Sequence, residues 1–194
     1  MIGFPVAIVF SNAFEWYAHK YWLHEYARQN RFSPFFSHMR HHKAVRLNEF
    51  HDERYERTFV TDQDVYIEKT QLLLLCAATT MVAPVAPFFT LGTYYGAWNY
   101  YSKHQRAHND PEWGKANLPW HYDHHMNANQ DANWCVTRPW FDYIMGTRIK
   151  PDPKAGESNP LGMRLPAVVE RPLNRVARRW LPASYEHAVP APAQ

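Results

Sequence analysis

The residues of this sequence that could do chemistry are mainly its histidines, of which there are 12. Ten of them fall into four short clusters, and only His51 and His187 stand apart. The clusters have the forms H-x4-H, H-x2-HH, H-x3-H and H-x2-HH, and their members are His19, His24, His38, His41, His42, His104, His108, His121, His124 and His125. The order predicts two matching half-sites of five histidines that close on one another.

Histidines at such spacings indicate metal binding rather than packing. A neutral imidazole offers one nitrogen lone pair to a metal, and burying many imidazoles without partners would be costly. A single zinc ion takes about four ligands, so the set suits two ions with about four or five nitrogens each. Imidazole alone does not distinguish Fe, Zn, Cu or Ni. Nearby carboxylates are expected to orient the rings by accepting the second N–H. These are Glu15, Asp110, Asp123 and Asp142.

The elements that position the histidines are predicted to be helices. Residues 2–27 are dense in apolar and aromatic side chains, and His19 and His24 lie near the end of that segment. In an α-helix, positions five apart diverge by roughly 140°, so this pair is expected to converge only on a flanking site or on two adjacent metals. The spacings of three and four within the later clusters place their members on one helical face.

A long uncharged run separates the two halves. No Asp, Glu, Lys or Arg occurs from Thr70 to Ser102, and Pro84 and Pro87 lie near its midpoint. One membrane crossing needs about 20 residues and two need about 40, so the run predicts an apolar helical hairpin that dips into a membrane and returns. The alternative is a buried core hairpin of a soluble protein. By the positive-inside tendency, the cytoplasmic face is expected to hold Arg28, Arg31, Arg40, Lys43 and Arg46.

The remaining segments divide the chain into two predicted parts. Residues 1–150 form the histidine domain, and residues 151–194 form a Pro-rich tail whose end, 189–194, is expected to be disordered. Arg171–Leu181 predicts a short basic amphipathic helix, which rests on anionic headgroups or packs on its own domain. The charged stretch 43–64 is expected to be a solvated loop with a helical turn. The Pro-containing segment between the third and fourth clusters is expected to be another loop.

Several function classes are excluded by composition and motif. The net charge of +3 is small, and no nucleic-acid motif is present. Two cysteines are too few for a Cys-based metal site, and they fit a reducing compartment. The chain has no dinucleotide or P-loop fingerprint and no Ser nucleophile elbow, so redox chemistry would need an external electron donor. The apolar N-terminus is not expected to be a cleaved signal peptide.

The order of the clusters, followed by Asn133–Thr137 and Trp140–Thr147, resembles the fatty acid hydroxylase / sterol desaturase superfamily of membrane di-iron oxygenases. The resemblance implies an all-α, membrane-embedded helical bundle with a short apolar hairpin and a cytosolic histidine-rich cap. It implies that all ten clustered histidines hold two iron ions, with zinc as a substitute. Residues expected around these ligands are Asp123, Asn133 and Asp142.

The resemblance also implies an activity. The di-iron centre would use O2 to hydroxylate a C–H bond of a fatty acyl, sphingolipid or sterol-like lipid, with electrons from a cytochrome b5, a ferredoxin or a similar reductase. A lipid desaturase and a carotenoid-ring hydroxylase on the same centre stay open, although the H-x3-H cluster and the segment after the last triplet favour the fatty acid and sterol side. A non-catalytic membrane protein that holds zinc structurally is the alternative from another class.

Overall fold

A computed structural model describes residues 2–56, 63–151 and 159–186. Within these residues the chain is all-α, as predicted. The helices are α1 (Gly3–Tyr17), α2 (Ala27–Gln29), α3 (Phe36–Leu47), α4 (Gln63–Thr80), α5 (Pro87–Asn109), α6 (Pro111–Asn117), α7 (Pro119–Met126), α8 (Trp140–Ile144), α9 (Ala167–Trp180) and α10 (Ala183–Glu186).

The first helix is continuous from α1 to α2, because a π-helical segment, Ala18–Tyr26, joins them. This confirms the helix predicted over residues 2–27. A π-helix pairs residue i with residue i+5, so side chains five apart come round to nearly the same face. His19 and His24 therefore lie together, with ring centroids 5.2 Å apart. The divergence expected from α-helical geometry was wrong for this pair.

The uncharged run forms the predicted hairpin of α4 and α5. Pro84 lies in the turn between them, and Pro87 is the first residue of α5, where its missing N–H costs no helical hydrogen bond. Among the described helices, none has both the length and the apolar character that a membrane crossing requires. Embedding of the bundle in a membrane therefore stays a prediction.

Helices α1 and α5 pack closely because small residues line their contact. A methyl group added at Gly92 would lie 2.6 Å from Cβ of Ala7, and one added at Gly96 would lie 2.5 Å from Oγ of Ser11. Small residues four apart allow two helix backbones to approach. Since α1 leads into the first histidine pair and α5 ends with the third cluster, this contact sets the distance between the first and third histidine clusters.

The predicted loop between the third and fourth clusters is mostly helical, so that expectation was wrong. Pro111 starts α6 and Pro119 starts α7. A proline at the first helical position is favourable because its φ suits the helix and its N–H is not needed there. Asp110 caps α6 by accepting a hydrogen bond from the Trp113 backbone N–H at 3.0 Å.

The charged stretch after α3 contains the predicted helical turn, a 3-10 segment at Glu53–Glu56, but it is not solvated throughout. Asp52 is only 1% exposed and Tyr55 is buried. The side chain of Arg54 pairs with Asp52 at 2.5 Å, and such pairing offsets the cost of burying a carboxylate. Residues 57–62 of this stretch lie outside the described residues.

The C-terminal part contains the helix predicted at Arg171–Leu181, which is α9. Helix α10 is tied to α8 by Ser184, whose hydroxyl donates to the Tyr143 carbonyl at 3.1 Å. The end of the chain, 189–194, where disorder was expected, and His187 lie outside the described residues. The division of the chain into a histidine domain, residues 1–150, and a Pro-rich tail, residues 151–194, stays a prediction.

Candidate metal centre

Five buried histidines form a first group, and their candidate ligand nitrogens all lie within 4.8 Å of one another. The Nε2 atoms of His19 and His38 are 2.9 Å apart, and those of His24 and His42 are 3.2 Å apart. With metal–nitrogen bonds of about 2.0–2.1 Å, two ligands at right angles are about 3.0 Å apart. The spacing therefore fits one ion. The members are His19, His24, His38, His42 and His124.

A second group consists of four buried histidines: His41, His104, His108 and His125. The tenth clustered histidine, His121, is fully buried beside this group. Its Nε2 is 3.1 Å from Nε2 of His108, and its ring centroid is 4.6 Å from that of His125. The structure thus brings nine predicted ligands into two groups and places the remaining one against the second. His51 lies in neither group and contacts Glu56.

Each group draws on histidines from both halves of the chain, so the two predicted half-sites lie against one another. The triplet on α3 gives His38 and His42 to the first group and His41 to the second. The triplet on α7 gives His124 to the first and His125 to the second. Adjacent residues diverge by about 100° on an α-helix, so the two neighbouring histidines of each triplet point into different groups.

Backbone carbonyls fix the tautomer of three of these histidines. Nδ1 of His19 is 2.5 Å from the Trp134 carbonyl, and Nδ1 of His124 is 2.7 Å from the Ala132 carbonyl. Nδ1 of His108 similarly contacts the carbonyl oxygen of residue 50 at 2.9 Å. A carbonyl can only accept, so the hydrogen is on Nδ1 and the Nε2 lone pair faces the group.

Two carboxylates fix the tautomers of two histidines in the second group, His41 and His104. Asp52 Oδ2 is 2.8 Å from Nδ1 of His41, and Glu68 Oε1 is 2.7 Å from Nδ1 of His104. The Tyr55 hydroxyl donates to Glu68 at 2.6 Å. Carboxylates behind metal-binding imidazoles orient the ring and raise its basicity. Sequence reasoning missed both acids, because Glu68 is 36 positions from His104 and Asp52 lies in a stretch that looks solvated.

His24 is oriented differently from the others. Nη2 of Arg28 lies 3.1 Å from its Nδ1. A guanidinium only donates, so the hydrogen of His24 is on Nε2 in this arrangement. To bind a metal through Nε2, His24 must lose that hydrogen or Arg28 must move away. Asp131 pairs with Arg28 at 2.6 Å and so helps to hold the guanidinium beside His24.

The buried nitrogens are not satisfied by hydrogen bonds alone. Among the described residues, Nε2 of His41, Nε2 of His104 and both ring nitrogens of His125 have no hydrogen-bond partner. Nε2 of His42 faces three other imidazole nitrogens. Because a ring nitrogen carries either one hydrogen or one lone pair, it can form a hydrogen bond with at most one of them. Unpaired buried acceptors are destabilising, and a bound cation would satisfy them together. The donor set therefore fits metal ions.

Burial also keeps these imidazoles in the neutral form that a metal requires. Loss of solvation lowers the pKa of His124 to about 4. Desolvation, assisted by the charges of neighbouring histidines, lowers the pKa well below the usual 6.5 for most of the others. These are His19, His24, His38, His41, His42, His108, His121 and His125.

Asp142, predicted near the ligands, supports the backbone behind them. Its buried carboxylate accepts hydrogen bonds from the backbone N–H of Trp134 at 2.7 Å and of Cys135 at 2.9 Å. The carbonyl of the same Trp134 contacts His19. Asp142 therefore acts on an imidazole through the main chain.

Asn133 and Asp123 hold the same segment from its other side. Asn133 has a φ of 61°, and its Oδ1 accepts from the backbone N–H of Ile149 at 2.8 Å and from Arg148 at 3.0 Å. Arg148 also pairs with Asp123 at 2.9 Å. The left-handed turn at Asn133 lies between the carbonyls of residues 132 and 134, which meet His124 and His19.

Glu15 joins α1 to the segment after the last triplet. Its carboxylate accepts from the backbone N–H of Val136 and Thr137 and from the Thr137 hydroxyl at 2.7 Å. Burial raises the pKa of this carboxyl to about 7. These bonds fix α1, and with it His19, against the part of the chain that supplies the carbonyl acceptors.

A cavity of about 360 Å³ lies beside both groups. Its lining includes His19 and His38 of the first group and His41 and His104 of the second, and apolar side chains of α1, α4 and α5 complete it. Nε2 of Gln71 is buried at this lining and has no hydrogen-bond partner in the described part of the chain. An apolar cavity with a few placed polar groups is the usual form of a small-molecule site.

These features define a class: an all-α protein whose two buried imidazole groups could hold metal ions beside an apolar cavity. Residues 4–147 match the family model described as fatty acid hydroxylase. The chain therefore belongs to the fatty acid hydroxylase family, and the resemblance to the superfamily of fatty acid hydroxylases and sterol desaturases is confirmed. Membership places it among oxidoreductases of lipid metabolism. No curated protein and no solved structure matches the chain.

Proposed function

We propose that the chain is a di-iron oxygenase that hydroxylates a C–H bond of a lipid. The observation that carries this proposal is the cavity, which meets histidines of both groups while its other walls are mostly apolar. The reaction consumes O2, two electrons and two protons, and it gives the alcohol and water. A cavity that reaches the ligands argues for catalysis, since a structural metal site is closed.

One iron ion would be held by the first group, and a second by the other group together with His121. Bound iron would supply activation of O2 and abstraction of hydrogen from carbon, and zinc could occupy the same ligands without that chemistry. The protein's part is to orient the ligands through Asp52, Glu68 and the carbonyl acceptors. It also binds the lipid and excludes water from the reacting carbon.

The lining of the cavity favours a lipid that carries an oxygen. Phe14, Trp22 and Leu72 suit a hydrocarbon chain. The buried amide N–H of Gln71, which has no partner among the residues that the structure describes, suits a hydroxyl or carbonyl oxygen. Gln71 lies one turn beyond Glu68 on α4, a rise of about 4.5 Å. We infer a fatty acyl, sphingolipid or sterol-like substrate in preference to a carotenoid ring without oxygen.

The proposal includes a membrane location, with the histidines on the cytoplasmic side. Its support is the α4–α5 hairpin, where Leu73, Leu74, Met81 and Val85 are exposed. Contiguous exposed apolar residues mark interaction or membrane surfaces. Electrons would come from a cytochrome b5, a ferredoxin or a similar reductase, because the sequence has no cofactor-binding motif for a redox group of its own.

The test is to express the chain with iron and to search the host lipids by mass spectrometry for a gain of oxygen. His42→Ala removes a nitrogen at the centre of the first group and should abolish the product. His51→Ala is the matched control and should retain it, because His51 contacts only the exposed Glu56 among the described side chains. Loss of two hydrogens instead of a gain of oxygen would indicate a desaturase on the same centre. No lipid change from an iron-loaded chain supplied with a reductant would contradict the proposal and favour a binding role.

A further inference from the structure

Helix α9 has an exposed apolar stripe. Val169, Val176 and Trp180 are 49%, 57% and 74% exposed. Their spacings of seven and four place them within about 40° of one another around the helix. Several exposed apolar side chains on one side of a helix are unfavourable in water and mark an interaction surface.

The same helix is strongly basic. Its four arginines project between about 80° and 180° from the apolar stripe, and Glu170 is its one acidic residue. Among the described residues, none of these arginines forms an ion pair. They are Arg171, Arg175, Arg178 and Arg179.

The domain holds α9 by a different side of the helix. Ala177 is buried, and the hydroxyl of Tyr185 donates to Asn174 Oδ1 at 2.8 Å. The ring of Tyr185 also lies beneath the Arg178 guanidinium, 5.3 Å away. Packing on the domain therefore leaves the apolar stripe uncovered. Of the two surroundings expected from the sequence, the part of the chain that the structure describes does not supply a cover for Val169, Val176 and Trp180.

We propose that α9 docks on an anionic lipid surface. The apolar stripe would enter the boundary between headgroups and acyl chains, where tryptophan is favoured. The arginine side chains would reach lipid phosphates and acidic headgroups, to which their charge is complementary. The inference agrees with the proposed function but does not depend on catalysis, because it assigns a binding surface and a lipid charge to a helix outside the metal centre.

The experiment places an environment-sensitive fluorophore, NBD, on α9 of the full chain. Val176→Cys is labelled in a Cys76→Ser background, since Cys135 is buried. The same label at Glu112→Cys, on the exposed side of α6, is the control. With vesicles of phosphatidylcholine and phosphatidylserine, emission at position 176 should shift to the blue and rise, whereas position 112 should not respond. With phosphatidylcholine alone, the response at 176 should be much weaker.

Two further variants separate the contributions. Arg175→Glu with Arg179→Glu should weaken partitioning of α9 onto the anionic vesicles at least roughly tenfold, since each basic residue near an anionic surface contributes. Lys115→Glu on α6 reverses one charge outside α9 and should change partitioning little.

A fluorescence response at position 176 that is equal on neutral and anionic vesicles would overturn the proposal. So would a response that needs no vesicles and grows with protein concentration, which would indicate a second copy as the partner. Loss of lipid oxidation with the response at 176 intact would contradict the proposed function alone.

Discussion

At the scale of single residues, the candidate metal centre depends on atoms that lie outside the histidine clusters. A histidine binds a metal through one nitrogen, and the hydrogen bond at its other nitrogen decides which. Here Asp52 and Glu68 serve the second group, and main-chain carbonyls serve His19, His108 and His124. Spacing in the sequence identifies the rings, but these acceptors orient them.

Replacing Glu68 should show this dependence. Glu68→Ala removes the acceptor of His104 and a partner of Tyr55. Metal affinity of the second group should fall about 10- to 100-fold, as is typical when a residue behind a ligand is lost. Competition with a chromophoric chelator measures the change. Glu112→Ala, on the exposed side of α6, is the control and should bind metal like the unaltered chain; equal affinity in both variants would show that Glu68 does not support His104.

At the scale of elements, two local geometries bring the clusters together. The π-helical segment aligns His19 with His24, and each H-x2-HH triplet sends its neighbouring histidines into different groups. The helices themselves were predictable from apolar density, proline positions and spacing. The π-helix was not, because no residue type in Ala18–Tyr26 marks a change from i+4 to i+5 hydrogen bonding.

The contact between α1 and α5 should also affect metal binding, because α1 leads into the first histidine pair and α5 contains the third cluster. Gly96→Leu forces a side chain into the space that Ser11 occupies. Overpacking of this kind typically costs about 1–3 kcal/mol, and the shift of α1 should also reduce metal binding. Leu91→Ala, an exposed change on the same helix, should do neither. Denaturant unfolding and metal content of the two variants check the prediction; unchanged stability and metal binding in Gly96→Leu would contradict this role of the contact.

At the scale of the whole molecule, the sequence predicted which histidines come together, but it did not predict which histidine belongs to which of the two groups. All ten candidates lie in one buried centre, because clusters of one residue type at ligand spacing are a strong signal. The division between groups depends on helix orientation, which brings His124 to the first pair and His41 to the third cluster. Contacts between residues so far apart in sequence, such as Glu68 with His104, leave no local pattern.

The most direct test of this arrangement is metal titration of two double variants. His38→Ala with His124→Ala removes two ligands from the first group, one from each half of the chain, so about one ion should still bind with unchanged affinity. His41→Ala with His42→Ala removes one ligand from each group, so no site should keep the affinity of the unaltered chain. If the second variant retained one site of unchanged affinity, each half of the chain would build its own site, and the mixed centre described above would be wrong.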